Sequence, residues 1–233
     1  MELIKKSSLC ECVKAKKENL NAFYLAGGTE ALRLNSPVKG DSVIPISSLI
    51  EKKIEAKGDD IFISSTVTFS ELLASSIVPK PLKEACKYLS SRALKNAATI
   101  GGNIASLRFD SYLIPTLLAY DAKLVVFSSE EKVCSLKKYV EKGSCSCLIV
   151  GILINPLVKV VNKRESLTSS THAAVTSALS ENGYFCAVSN SGIFFSLEQA
   201  MSSDIKSDIT GSSEYKKYLI KENYEILKEA LNG

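Results

Sequence analysis

Two pairs of adjacent glycines are the residues of this sequence whose type and spacing best suit chemistry. Gly27-Gly28 follows an apolar run and precedes a threonine, and Gly101-Gly102 precedes Asn103. Consecutive glycines let backbone N–H groups approach an anion closely, because φ can be positive and no Cβ lies in the way. Neither pair belongs to a G-x-G-x-x-G or a G-x-x-x-x-G-K-[ST] motif. One Gly-Gly is more often a tight turn, but two such pairs favour a diphosphate site.

The sequences around both pairs resemble the FAD-binding subunit of the molybdenum hydroxylases, enzymes of the xanthine dehydrogenase and carbon monoxide dehydrogenase type. Residues 23–32 read FYLAGGTEAL, and residues 98–124 read ATIGGNIASLRFDSYLIPTLLAYDAKL. The second stretch is the more specific, because T-I-G-G-N-I-A is followed by P-x-L-L-A-x-D-A. Residues 208–218, DITGSSEYKKY, resemble the segment before the last helix of that family.

The resemblance implies an α+β fold with non-covalently bound FAD. A PCMH-type FAD-binding region of two α/β subdomains would hold an extended FAD, and an antiparallel sheet with C-terminal helices would follow it. The implied cofactor-binding residues form a first diphosphate loop, a second one, and contacts near the ribose and flavin ring. They are Leu25, Ala26, Gly27, Gly28, Thr29 and Glu30, then Thr99, Ile100, Gly101, Gly102 and Asn103, and finally Asp110, Leu148 and Lys163.

The sequence departs from the family pattern at several of the implied contacts. The family has an acidic residue a few positions before the proline that matches Pro115. This chain has Ser111 or Tyr112 at that position, and Asp110 is the nearest acidic residue. The segment 106–109, SLRF, replaces an expected Asn and Pro, and residues 63–65, ISS, replace I-G-A. Near the flavin, Arg164 is an alternative to Lys163, and either Leu89 or Tyr88 could take the place of an aromatic.

The implied function is electron transfer within an oxidoreductase complex. A molybdopterin-binding subunit and a two-iron two-sulfur subunit would be partners, and electrons would pass from iron–sulfur centres through FAD to NAD+ or another acceptor. Flavin supplies the redox chemistry, so no catalytic acid, base or nucleophile is expected from this chain. Two alternatives remain: a flavin-free structural subunit that keeps the fold, and a self-contained flavin oxidase. The single histidine, His172, and the lack of a clustered Tyr/Arg/Glu site disfavour the oxidase.

Composition excludes other classes of function. The chain has 233 residues, a net charge of +4 and no dense basic run, so we expect no nucleic-acid partner. The longest apolar run, near residues 113–119, is far shorter than the roughly 20 residues that span a bilayer, and the N-terminus lacks the apolar core of a signal peptide. We therefore expect a cytoplasmic protein without a membrane segment.

The cysteines are expected to be reduced thiols and not metal ligands. Their number, seven, is odd, and a chain without a secretory segment rarely uses structural disulfides. The two C-x-C pairs, Cys10/Cys12 and Cys145/Cys147, lack C-x-x-C spacing and a glycine-rich knuckle. No metal site is predicted.

Hydrophobic patterning predicts the elements that must position the glycines. Helices are expected over residues 9–17, from Thr68, after Pro81, over 111–119 and over 213–231, with helical residues at 30–34. Thr68 and Glu71 have the spacing of a capping box, and the helix after Pro81 has one apolar stripe formed by Leu82, Ala85, Cys86 and Leu89. In the last helix, the residues expected near one face are Tyr215, Leu219, Ile226, Ala230 and Leu231. Strands are expected at 22–26, 43–46, 52–56, 61–65 and 123–127, and an antiparallel meander at 147–154, 157–161, 173–179, 184–189 and 193–195. The predicted domains are residues 1–143, with subdomains of about 1–56 and 57–143, and residues 144–233.

Overall fold

The structure, a computed structural model, describes residues 1–34, 36, 38, 40–89, 91–108, 111–143, 147–168 and 171–233. Within these ranges the chain forms three sheets. The mixed α+β architecture confirms the fold class that the sequence predicts.

The first sheet is parallel and has the strand order β1-β3-β2. Its elements are β1 (Glu2–Leu3), helix α1 (Leu9–Glu18), β2 (Ala22–Leu25) and β3 (Ser42–Pro45). Helix α1 begins where the Ser8 hydroxyl accepts a hydrogen bond from the Glu11 N–H, which satisfies one of the free N–H groups of the first turn. The predicted helix at 9–17 and strand at 22–26 are thus confirmed, and β2 ends directly before the first glycine pair.

The second sheet is antiparallel, with the strand order β4-β5-β8-β6-β7. Helices pack beside it and connect its strands. In chain order the elements are β4 (Ile54–Lys57), β5 (Asp60–Ser64), α2 (Phe69–Ala74), α3 (Lys80–Lys87), α4 (Arg92–Ala97), α5 (Ile100–Ser106), α6 (Leu113–Ala119), β6 (Lys123–Phe127), β7 (Glu131–Ser135), α7 (Leu136–Lys142) and β8 (Leu148–Ile154). The predicted capping box of Thr68 and Glu71 starts α2 as expected.

Strand β8 lies at the centre of this second sheet. It pairs with β5 on one side and with β6 on the other. Leu148 and Val150 pack with Val13 of α1 on one face, whereas Ile149 and Ile152 belong to the core on the opposite face. The prediction that residues 147–154 open the C-terminal meander is therefore wrong. An unbroken apolar run is typical of a strand that is buried on both faces.

The third sheet is the predicted antiparallel meander, which begins at β9. Its order is β12-β11-β10-β9, formed by β9 (Val160–Glu165), β10 (Val175–Ser180), β11 (Phe185–Ser189) and β12 (Gly192–Phe194). Helices α8 (Leu197–Ser202) and α9 (Ser213–Asn232) follow. Side chains alternate along β11: Phe185 packs with α9, and Cys186 belongs to the large core that includes α6.

Helix α9 buries only part of the face that the sequence predicts. Leu219 is buried as expected, but Tyr215 is exposed, and Lys216 is completely buried. The Lys216 ammonium donates to Asp208 Oδ1 at 2.7 Å and to the Lys206 carbonyl at 3.1 Å. Burial acts to raise the pKa of Asp208, but hydrogen bonds from Lys216 and Thr210 outweigh burial and lower this pKa to about 2. The ion pair therefore fixes α9 against the segment before it.

Candidate functional site

A cleft of about 600 Å³ lies where the first sheet, helices α4 and α5 and strand β8 meet. Both glycine pairs line it, although they are far apart in sequence. Cavities of this size are typical of small-molecule and cofactor sites. The cleft is therefore the candidate functional site among the described residues.

The first glycine loop (residues 25–30) continues from the end of β2 and forms one wall of the cleft. Gly28 has a φ of +72°, a conformation that residues with a side chain rarely adopt. Gly27 lets the loop touch the end of α4, because a Cβ at this position would lie 1.7 Å from the Ala97 carbonyl oxygen. The two glycines thus have separate roles, one in backbone conformation and one in packing.

The first glycine loop carries backbone donors that the protein does not use. The N–H groups of Gly28, Thr29 and Glu30 have no acceptor within the described part of the chain. These residues line the cleft. Successive unpaired N–H groups are suited to an anion such as a phosphate. The residues predicted to be helical, 30–34, instead form turns.

The second glycine pair lies in the first turn of α5 and not in a loop. Thr99 is the N-cap of this helix. The N–H groups of Ile100, Gly101, Gly102 and Asn103 donate to Val67 O, Ser65 O, Thr99 Oγ1 and Thr99 O, at 3.0, 2.9, 3.1 and 3.0 Å. The predicted second loop is therefore a turn of helix, and every N–H group of this first turn already has an acceptor within the protein.

The two glycines of α5 have different surroundings. A Cβ at Gly101 would lie 2.5 Å from Ser65 Cβ and 2.7 Å from the Ser65 carbonyl oxygen, so Gly101 is needed for close packing. A Cβ at Gly102 would meet only Thr99 Oγ1, at 2.9 Å. Gly102 therefore presents bare backbone to the cleft, which allows a ligand to approach the helix.

Charged side chains gather beside the first glycine loop. The Glu30 carboxylate lies 3.0 Å from Arg33 Nε and 2.7 Å from Arg108 Nη1, and all three residues line the cleft. Lys16 lines it as well, and burial lowers the pKa of its ammonium. Among the described residues that line the cleft, three are thus cationic and one is acidic, a composition that favours a negatively charged ligand.

Two polar atoms in the cleft wall are buried without a hydrogen-bond partner. They are the hydroxyl oxygens of Tyr24 and Ser65. Burial, with a smaller contribution from Cys12, raises the pKa of Tyr24 to about 12, so its hydroxyl is protonated at neutral pH. An unsatisfied buried hydroxyl costs about 1–3 kcal/mol. A polar ligand in the cleft would remove that cost.

Apolar and aromatic side chains also line the cleft. Leu89, Leu148 and Tyr112 are among them. The ring of Tyr112 meets that of Tyr88 edge to face, with centroids 5.8 Å apart, and the Arg164 guanidinium lies 5.2 Å from the Tyr112 ring centroid. Such surroundings suit a flat aromatic ligand more than a phosphate.

Most of the residues predicted for the site line this one cleft. They are Leu25, Ala26, Gly27, Gly28, Thr29, Glu30, Thr99, Gly101, Gly102, Asn103 and Leu148. Ile100 is buried in the core beneath it. Lys163 forms an ion pair with Glu165 at 2.9 Å and is not part of the lining. Asp110 lies outside the described residues.

Sequence reasoning did not assign the cationic and hydroxyl-bearing residues to the cleft. Lys16, Tyr24 and Arg33 flank the first glycine loop in sequence, so proximity to that loop was the available signal. Arg108 and Ser65 lie within segments that depart from the family pattern. Those departures indicated candidate site residues, because an unusual residue next to a ligand-binding motif can contact the ligand that the motif binds.

The described part of the chain contains no group of side chains that could hold a metal ion. Cys10, Cys12, Cys86, Cys134 and Cys186 are free thiols, as predicted. Cys147 is in a disulfide, so the expectation of a reduced thiol is wrong for this residue. Among the described helices, none has the length and apolar character that crossing a bilayer requires.

Comparison with known proteins identifies the family. Residues 1–154 match the model of the FAD binding domain in molybdopterin dehydrogenase. This segment covers all of the first two sheets. The chain therefore belongs to the family of FAD-binding domains of molybdopterin dehydrogenases.

Individual relatives agree with this assignment. The uncharacterized protein YgfM of Escherichia coli strain K12 is 28% identical over 223 residues, which cover 85% of this chain and 83% of YgfM. The xanthine dehydrogenase FAD-binding subunit of Escherichia coli O157:H7 is 31% identical over 130 residues, 52% of this chain and 44% of that subunit. The structure of carbon monoxide dehydrogenase from Hydrogenophaga pseudoflava matches with a TM-score of 0.88 and 17% identity, over 99% of this chain and 96% of that one. This last match shows a shared fold.

Proposed function

We propose that the chain binds FAD non-covalently and serves as the electron-transfer flavoprotein subunit of a molybdenum hydroxylase of the xanthine dehydrogenase type. The single observation that carries this proposal is the first glycine loop, whose unpaired N–H groups open into a cleft of about 600 Å³. Membership of the FAD-binding family supports the choice of ligand.

The residues of the cleft fit FAD at both of its ends. The N–H groups of the first glycine loop, with Arg33 and Arg108 beside them, suit the diphosphate. Gly102 has no Cβ, so the first turn of helix α5 leaves space for the diphosphate to approach its backbone closely. The apolar and aromatic part of the lining, which includes Leu148 and Tyr112, suits the flavin ring. Tyr24 and Ser65, whose buried hydroxyls have no partner in the described part of the chain, belong to the same lining.

The chain's own residues bind and orient the cofactor. FAD supplies the redox chemistry when it is bound. The first glycine loop holds the negative charge of the diphosphate, and apolar side chains exclude water from the ring end of the cleft. No side chain is assigned as an acid, base or nucleophile.

We further propose that the chain works with partner subunits. A molybdopterin-binding subunit would oxidise the substrate, and a two-iron two-sulfur subunit would carry electrons to this chain. NAD+ or another acceptor would receive them. One relative is named as the FAD-binding subunit of xanthine dehydrogenase. Because a subunit belongs to a larger enzyme, this relative supports the arrangement.

Flavin analysis of the purified chain tests the proposal. The protein is incubated with FAD, freed of excess ligand and denatured in acid, and the released flavin is identified by chromatography. We expect FAD close to one equivalent, and no retention of FMN, because FMN lacks the diphosphate. Absence of bound FAD after loading would contradict the proposal.

A flavin-free structural subunit is the second candidate. The observation that favours it is the first turn of α5, where all four N–H groups have acceptors within the protein. In that case the cleft would be a remnant of the family's site. The same loading experiment separates the two candidates, since a structural subunit would show no flavin absorbance.

A further inference from the structure

Arg108 is held at the mouth of the cleft by an unusual local backbone. The preceding residue, Leu107, ends helix α5 in the left-handed region with a φ of 44°. Its side chain packs against the large core, and the Ser111 N–H donates to the Arg108 carbonyl at 3.1 Å. A residue with a side chain adopts this conformation only where its surroundings impose it. The position of Arg108 is therefore well defined.

The Arg108 side chain contacts the first glycine loop, and both line the cleft. Its Nη1 lies 2.7 Å from Glu30 Oε2, and the two side chains are only 27% and 19% exposed. The other oxygen of the same carboxylate meets Arg33 Nε at 3.0 Å. One carboxylate is thus shared between two guanidinium groups, beside the unpaired N–H groups of residues 28–30.

We propose that Arg108 is a direct ligand of the FAD diphosphate and that Glu30 is its positioning residue. This inference rests on the proposed binding of FAD. A guanidinium group has five N–H donors in a planar fork whose geometry matches phosphate oxygens. The ion pair with Glu30 holds the fork beside the first glycine loop before the ligand arrives, which lowers the ordering cost of binding.

A competing interpretation is that Arg108 and Glu30 merely tie the two sides of the cleft together. The two interpretations predict different effects on FAD binding when Arg108 or Glu30 is replaced. If the pair is only a tie, Arg108→Gln and Glu30→Gln should weaken FAD binding equally. If Arg108 binds the diphosphate, Arg108→Gln removes a ligand, whereas Glu30→Gln removes a negative charge near the phosphates and leaves the ligand in place.

Titration with two flavins tests the proposal. Dissociation constants for FAD and for riboflavin, which has no phosphate, are measured by quenching of flavin fluorescence with the full chain and its variants. Arg92→Gln is the matched control, because Arg92 is exposed on α4 and is not part of the cleft lining. Arg108→Lys keeps the charge and removes the fork, and thermal unfolding verifies that each variant is folded.

We expect Arg108→Gln to weaken FAD binding about 10- to 100-fold, the effect of losing a hydrogen bond to a charged group. Riboflavin binding should change less than about twofold, because the interaction with the diphosphate is absent. The FAD affinity of Arg108→Lys should lie between those of the wild type and Arg108→Gln. Glu30→Gln should weaken FAD binding less than about threefold, because the charged ligand Arg108 remains.

Two results would overturn the assignment of Arg108 while leaving FAD binding intact. The first is wild-type FAD affinity in Arg108→Gln, and the second is an equal loss of FAD affinity in Arg108→Gln and Glu30→Gln. A wild-type protein that binds neither flavin would instead overturn the proposed function, and the assignment of Arg108 with it.

Discussion

Replacement of Gly102 by Asp should abolish FAD binding while leaving the fold nearly as stable as in the wild type. An added Cβ would contact only Thr99 Oγ1, at 2.9 Å, so the remainder of the side chain would extend from helix α5 at the cleft. The carboxylate would then occupy the space that we assign to the diphosphate. Both charges are negative, and the cleft is partly shielded from water.

The magnitudes of the two effects differ clearly. A carboxylate about 5 Å from one phosphate charge is repelled by about 3 kcal/mol at an effective dielectric constant near 20, which weakens binding roughly 100-fold. For the fold, replacing a helical glycine by aspartate gains about 0.3 kcal/mol in helix propensity, and an acid in the first turn gains about 0.3–1 kcal/mol. A shift of the Thr99 hydroxyl by a few tenths of an ångström costs part of that gain. The net change in unfolding free energy should be below about 1 kcal/mol.

Gly101→Ala is the matched control for a glycine that serves packing alone. Its Cβ would lie 2.5 Å from Ser65 Cβ and 2.7 Å from the Ser65 carbonyl oxygen. A backbone neighbour cannot move aside, so we expect a loss of about 1–3 kcal/mol of stability. FAD bound per folded molecule should stay close to that of the wild type.

Thermal unfolding without FAD, combined with FAD stoichiometry and affinity, distinguishes the two variants. Gly102→Asp should unfold near the wild-type temperature and bind little FAD. Gly101→Ala should unfold at a lower temperature and bind FAD in proportion to the folded fraction. Wild-type FAD affinity in Gly102→Asp would refute the assignment of this helix turn to the diphosphate site.

Three further predictions concern packing, charge and the unpaired hydroxyl. Gly27→Ala should give little folded protein in expression trials, because the new Cβ would lie 1.7 Å from the Ala97 carbonyl oxygen. Asp208→Asn should lower the unfolding free energy at pH 7 by about 2 kcal/mol, since Lys216 stays buried without its carboxylate. The folded-state pKa of Asp208, about 2, is below the ordinary 3.8, so this stabilisation is present above about pH 4 and disappears as the pH falls toward 2. In denaturant titrations, the difference in unfolding free energy between wild type and Asp208→Asn should therefore be smaller at about pH 2.5 than at about pH 7. Ser65→Ala should leave the FAD-free protein as stable or up to about 1 kcal/mol more stable, since an unsatisfied buried hydroxyl is removed. Its FAD affinity, measured by fluorescence quenching, should fall, and unchanged affinity would exclude Ser65 from the site.

Local sequence signals predicted the elements near the site well. Thr68 and Glu71 form the expected capping box, and Leu82, Ala85 and Cys86 are buried along α3 as their helical spacing indicated. These signals depend on neighbours within one turn of helix, so the sequence contains all of the information that they need.

Short elements with weak periodicity could not be predicted in this way. Helix α4 has no buried residues, so it lacks an apolar stripe, and its start depends on the Ser91 cap alone. Strand β7 is exposed along much of its length and is defined by pairing with β6. In such cases a partner that is distant in sequence decides the structure.

The sequence by itself determined the family resemblance, the two glycine pairs and the strand that leads to the first of them. Tertiary structure decided how each glycine is used. Gly27 and Gly101 are required by backbone atoms of other segments, and of the two described glycine segments the first alone keeps unpaired N–H groups. Tertiary structure also placed β8 in the second sheet and Arg108 beside Glu30. The physical reason is that close packing and ion pairing depend on distances between distant parts of the chain, and local residue patterns contain no such distances.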